Sequence, residues 1–182
     1  RIGLYAEQMA ENLGWEPRHC HDIRIAAPMH DVGKLGIPDA ILLKPGPLTP
    51  QEMEVMKTHT EIGAKVLRGS EIPLINMACD IAMYHHERWD GTGYPVGLAG
   101  EDIPTSARIT AICDIYDALV HDRVYRPALP EDTVLDMLEQ QRGSHLDPQV
   151  LDCFLDILPR IRHIREKNQD LSVFQHGSTH PV

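Results

Sequence analysis

Residues 49–69 read TPQEMEVMKTHTEIGAKVLRG. Thr49 can cap a helix, Pro50 suits its first position, and Glu52 stands where a capping box needs an acid. The stretch predicts one helix that turns Met53, Met56, Val66 and Leu67 inward and stops near Gly69. His59 falls on the same inward stripe, in register with Met56 and Gly63. Outward from this segment nearly everything keeps helical period. Residues 1–13 align Ile2, Tyr5, Met9 and Leu13, and Gly14 is a good stop. Residues 18–32 read as a second helix, with Pro28 forcing a kink or a late start. Residues 34–48, rich in Pro and Gly, read as an ordered loop. Residues 73–87 place Leu74, Met77, Ala78 and Ile81 on one stripe. A Gly-rich loop follows over residues 88–103, with Gly91, Gly93, Gly97 and Gly100. Further helices are expected over 104–121, 131–142, 147–158 and 159–167. No strand pattern persists and no repeat is visible, so the expected fold class is all-α.

The chain has 182 residues, 42% of them hydrophobic, and a formal charge of −10. That length suits one domain, expected over residues 1–169, with a polar and disordered tail over 170–182. The acidic balance argues against a nucleic-acid binder working through a broad basic surface. No run of ~18 apolar residues exists, so no membrane contact is expected from this chain. Cys20, Cys79, Cys113 and Cys153 form no C-x-x-C pair and read as reduced core residues of a cytoplasmic protein. The chain begins at Arg1, already inside a helical pattern. It reads as part of a longer protein with an upstream regulatory or sensory domain.

Histidines number 11, an unusual excess. His30 and Asp31 are adjacent, His59 lies on an inward stripe, His85 and His86 end a helix, and Asp114 sits amid Ala111, Cys113, Ile115 and Ala118. A lone inward His is usually a hydrogen-bonded core residue, and a lone helical Asp usually caps something. That reading weakens when it must hold for all six. A helical bundle converges ligands on one point in this way, with the four groups, His-Asp, His, His-His and Asp, each at the end or inner face of a separate helix. Imidazole and carboxylate without thiolate suit Fe, Mn, Ni or Zn. Six donors exceed the needs of one ion, and two ions sharing a carboxylate activate water for in-line attack on phosphorus.

Longer motifs then become recognisable. HDVGK (30–34), GIPD (36–39), Lys57-x-His59, HHERWDGTGYP (85–95) and Asp114-x-x-Asp117-Ala118-Leu119 together resemble the HD-GYP family. These are bacterial cyclic di-GMP phosphodiesterases within the HD phosphohydrolase superfamily. The resemblance covers residues 1 to about 158 and implies an HD-domain-like helical bundle with a long Gly-rich loop. It implies that His30, Asp31, His59, His85, His86 and Asp114 hold metal, with Asp31 bridging. It implies that Asp31 and Lys34 serve catalysis, and that Lys34, Arg123, Arg126 and Tyr94 serve substrate binding. Two divalent ions are expected, or three, with Fe or Mn favoured over Ni or Zn. In some family members a Glu and a His in the first helix support the third ion, at positions that precede Arg1. The ion count bears on whether hydrolysis stops at linear pGpG or continues to GMP.

The implied function is hydrolysis of cyclic di-GMP by metal-activated water, lowering the messenger in bacterial signalling, two-component signalling included. The rival is a weak or inactive module that binds metal or dinucleotide and docks diguanylate cyclase (GGDEF) domains. An HD nucleotidase is a second enzyme reading, against which the Gly-Tyr-Pro loop and the Arg123 region argue. That loop shapes the site's rim or meets a GGDEF partner, while Gly97 and Gly100 read as turn residues. Glu87 and Asp117 are expected to orient imidazoles, and Asp90 either to do so or to stand exposed or capping. His121 is a departure from the family pattern and is expected to be exposed, and Val124 replaces a proline common there.

Overall fold

A computed structural model describes residues 1–122 and 127–168. The tail expected over 170–182 lies outside the described residues, together with residue 169. Among the described residues the chain forms ten α-helices and no strand beyond a single bridge pairing Arg142 with Leu146. The helices are α1 (Ile2–Asn12), α2 (Pro17–Ala26), α3 (Asp39–Leu42), α4 (Pro50–Lys57) and α5 (His59–Leu67). They continue with α6 (Pro73–Tyr84), α7 (Thr105–Val120), α8 (Glu131–Gln140), α9 (Pro148–Asp156) and α10 (Leu158–Lys167). The all-α expectation holds.

Apolar spacing explains the layers. α1 packs on α2 and α7, α6 lies between α2 and α5, and α8, α9 and α10 close the far side. Tyr5, Met9, Ile23, Ile112, Tyr116 and Phe154 are fully buried at the centre. Tyr116 meets Tyr5 edge-on at 5.9 Å and Phe154 at 5.0 Å between ring centroids. Cys20, Cys113 and Cys153 are buried and Cys79 half-buried, all as free thiols.

Three departures from the expected elements bear on the site. The second helix stops at Ala26 and unwinds into a 3-10 turn over Ala27–Met29. Pro28 has no N–H to offer the ladder, so His30 and Asp31 follow the helix end instead of riding on it. The loop expected over 34–48 contains the short helix α3. The helix expected over 49–69 is two helices that meet at Thr58. The capping box at Thr49 and Glu52 forms as expected. The break has a local cause: Thr58 Oγ1, His59 Nδ1 and Thr60 Oγ1 each bond the carbonyl three residues back, at 2.7, 2.8 and 3.0 Å. Such bonds compete with the α ladder. One inward stripe therefore cannot serve both helices. Met53 and Val66 are exposed, whereas His59, Thr60, Gly63 and Ala64 face inward.

Candidate metal centre

The helix ends above deliver four imidazoles to one place. Three of them turn one ring nitrogen back onto a carbonyl of the preceding turn, which a backbone N–H also reaches. His30 Nδ1 lies 2.9 Å from the Ala27 carbonyl, His59 Nδ1 2.8 Å from that of Met56, and His85 Nδ1 2.9 Å from that of Ile81. A carbonyl only accepts, so each Nδ1 carries a proton, and in the neutral ring Nε2 keeps its lone pair. Those Nε2 atoms converge. The Nε2 atoms of His59 and His85 stand 3.4 Å apart, and one ring nitrogen of His86 falls within 4.8 Å of both partners.

Asp31 lies between two groups of imidazoles. Its Oδ1 is 3.5 Å from His59 Nε2 and 3.9 Å from His85 Nε2. Its Oδ2 is 3.3 Å from His30 Nε2 and 2.6 Å from Lys34 Nζ. Asp114 Oδ1 approaches His30 Nε2 at 3.7 Å. Close backbone packing sets this geometry. A Cβ at Gly33 would lie 1.9 Å from the His59 carbonyl and 2.4 Å from the Gly63 nitrogen, so the turn carrying Asp31 rests directly on α5.

The donor set fits divalent metal on two observations. The facing lone pairs of His59 and His85 repel unless a cation lies between them. Asp31 Oδ1 is buried with no hydrogen-bond partner, a costly state that an ion would relieve. Electrostatics agree. Burial pulls down the pKa of His59 and His85, and it takes His86 to about 3, so these rings stay neutral and able to ligate. Burial also opposes charge on His30 and Asp31, but their mutual contact prevails, raising His30 and lowering Asp31, with Lys34 helping to lower Asp31.

All six expected ligands and Lys34 are thus brought together. Tyr94 joins them, its ring stacked on His86 at 4.8 Å and 22°. Arg123 and Arg126, expected to bind substrate, lie outside the described residues, as does Val124.

Residues 1–150 match the sequence profile of the HD domain family. The chain belongs to the HD domain family. This HD domain is similar to a cyclic di-GMP phosphodiesterase of Thermotoga maritima, 43% identical over 174 residues, covering 94% of this chain and 47% of that protein. It is similar to a 3'3'-cGAMP-specific phosphodiesterase of Vibrio cholerae, 43% identical over 156 residues, covering 86% of this chain and 30% of that protein. The chain therefore spans about a third to half the length of these curated relatives. Among solved structures, a cyclic GMP-AMP-specific phosphodiesterase of V. cholerae superposes with a TM-score of 0.67 at 18% identity, over 94% of this chain and 46% of that one, a likeness of fold. The HD-GYP resemblance carried by the motifs stands with these findings.

The structure corrects the expected imidazole partners in this HD domain. Glu87 is buried and accepts the backbone N–H groups of Val96, Gly97 and Leu98, so it closes the Gly-rich loop. Asp90 takes its capping alternative, accepting from the Thr92 backbone and hydroxyl within its own turn. Asp117 pairs with Arg1 at 2.7 Å and with His121 at 3.3 Å, an imidazole outside the expected ligand set. His121, expected exposed, is half-buried against Asp117. Gly97 and Gly100 hold left-handed φ of 79° and 59°, which fits their reading as turn residues. Sequence reasoning missed the carbonyl anchors, because the partners are main-chain groups that every residue carries.

Proposed function

We propose that this chain is the catalytic domain, over residues 1–169, of a metal-dependent phosphodiesterase that opens cyclic di-GMP to linear pGpG, GMP or both. The observation that carries the reading is Asp31, with one oxygen toward His59 and His85 and the other toward His30 and Lys34. His59, His85 and His86 would hold one ion, His30 and Asp114 the other, and Asp31 would bridge them. Iron or manganese suits this donor set, and nickel or zinc also fits. When bound, two such ions would acidify water for attack on phosphorus and withdraw charge from the phosphoryl oxygens. The chain's own residues do the rest. Backbone carbonyls fix the tautomers of His30, His59 and His85. Lys34, about 39% exposed, can leave Asp31 to meet a phosphoryl oxygen as charge develops there. Arg123 and Arg126 would hold the other phosphate, where a guanidinium fork suits the geometry.

The test follows metal content and products together. Anaerobically purified protein should carry two metals per chain and convert cyclic di-GMP to pGpG or GMP by chromatography. No turnover with two metals bound would sink the enzyme and favour a module that binds the dinucleotide and docks a GGDEF domain. Because one relative is named for 3'3'-cGAMP, that dinucleotide runs in parallel, and faster turnover of it would reassign the substrate. Docking to a GGDEF domain through the Gly-Tyr-Pro loop is checked by pull-down with and without Tyr94→Ala. Four free thiols suit action in the reducing cytoplasm, where the messenger is found.

A further inference from the structure

Among the described residues, His86 is unlike its three neighbours. His30, His59 and His85 each fix one ring nitrogen on a backbone carbonyl. His86 has no such hydrogen bond, and its ring is held by faces instead. It lies 4.1 Å from the His85 ring at 43° and stacks nearly parallel on Tyr94. The His59 ring also meets it edge-on at 5.1 Å, and with no hydrogen bond at either nitrogen these ring contacts are what resist rotation of the imidazole about its bond to Cβ.

The loop is built to hold that phenol in place. Tyr94 N donates to the His86 carbonyl at 3.2 Å. One residue earlier, a Cβ at Gly93 would lie 2.4 Å from Arg88 N and 2.5 Å from Glu87 Cα, so only glycine lets the loop lie against the chain leaving His86. Two residues later, the Glu87 carboxylate gathers the N–H groups of Val96, Gly97 and Leu98. Both flanks of Tyr94 are therefore tied to residues 86–88. The outer side is pinned too, with Trp89 N and Asp90 N donating to the carbonyls of His145 and Ser144. The Lys57 ammonium lies 5.4 Å from the Tyr94 ring centroid and pairs with Glu54 at 2.6 Å.

We propose that Tyr94 is a positioning residue whose ring face clamps His86, replacing the hydrogen bond that the other three imidazoles possess. The inference rests on the reading of His86 as a metal ligand. It assigns the ring a role separate from any contact of the hydroxyl with substrate. An electron-rich face also favours an imidazole that gains positive character on binding a cation.

The experiment compares Tyr94→Phe, Tyr94→Leu and His86→Ala in the full chain. Manganese binding is followed by calorimetry, folding by thermal unfolding, and kcat and KM with cyclic di-GMP. Tyr94→Phe keeps the ring and should bind manganese within about twofold of wild type. Tyr94→Leu should lose about 10–100-fold in affinity, the usual effect of removing a ligand's support, with kcat falling more than KM rises. Equal losses in Phe and Leu variants, or wild-type affinity in a folded Leu variant, would overturn the clamp. If Leu fails to fold, Tyr94→Met, which also removes the ring, is read in its place against the same two outcomes. Should His86→Ala retain full metal binding, the ligand assignment itself fails. If that variant loses metal while Tyr94→Leu does not, the clamp alone fails.

Discussion

Gly33→Ala is the sharpest test of how the metal centre is assembled. The residue carries no left-handed strain, so alanine is acceptable to its backbone and the whole penalty is steric. The new Cβ would meet the His59 carbonyl at 1.9 Å and the Gly63 nitrogen at 2.4 Å, where ordinary contact begins near 3.4 Å. The turn and α5 must separate by about 1.5 Å, and both colliding groups are main chain, which cannot rotate away. Overpacking costs ~1–3 kcal/mol, and an unyielding backbone puts this case at the upper end. For a chain of this size, ~3 kcal/mol lowers Tm by roughly 6–12 °C. The same displacement pulls His59 away from Asp31, now 3.5 Å apart, so metal content should fall with stability. Calorimetric unfolding with metal analysis of the same samples reads both. Gly36→Ala is the control, because its Cβ meets only the Ile62 side chain, at 2.9 Å, which can turn aside. A Gly33→Ala protein with wild-type Tm and full metal would refute the claim that this contact sets the geometry.

Three further outcomes are expected. His59→Ala and Asp114→Ala should each lose metal and activity, and full retention in both, by elemental analysis and turnover, would show the ligand set to be wrong. Glu87→Gln should destabilise the protein by ~1–3 kcal/mol and speed amide exchange at residues 96–98; unchanged exchange would mean the carboxylate does not hold the loop. The third concerns pH. Burial, then the charge of Arg88, takes the His145 pKa to about 4 from 6.5. A folded pKa below the unfolded one means stability that is present above pH 6.5 and lost as pH falls toward 4. The gap corresponds to at most ~3 kcal/mol, which partial solvent access reduces to about 1–2. Urea midpoints of wild type and His145→Gln should diverge across that window, and parallel profiles would count against it.

The helices were legible because apolar spacing and capping are local. Thr49 and Glu52 form the expected box, and Asp147 caps α9 through the N–H groups of Gln149 and Val150. The break at Thr58 was not legible from periodicity. It arises from side chains competing for backbone acceptors, which leaves no trace in an apolar pattern. Misplacing Met53 and Val66 followed from that single omission. The cluster was legible because donors from four segments, His30-Asp31, His59, His85-His86 and Asp114, would be costly to gather around anything but a cation, and longer motifs then put them in order. What holds them was hidden for a physical reason. Glu87 and Asp117 looked like partners for imidazole by charge and proximity in sequence. The actual partners are carbonyls, which every residue has and no sequence displays.

Main-chain anchoring carries a consequence for how such a centre can vary. No point mutation deletes the carbonyl of Ala27, Met56 or Ile81. An alanine scan would find almost no supporting residues around three of the four imidazoles. Inheritance of the centre is then tied to where helices end. Metal preference has to be tuned by shifting a terminus or by changing the donors themselves. His86 is the exception, because its support is a side chain and can be altered by one codon.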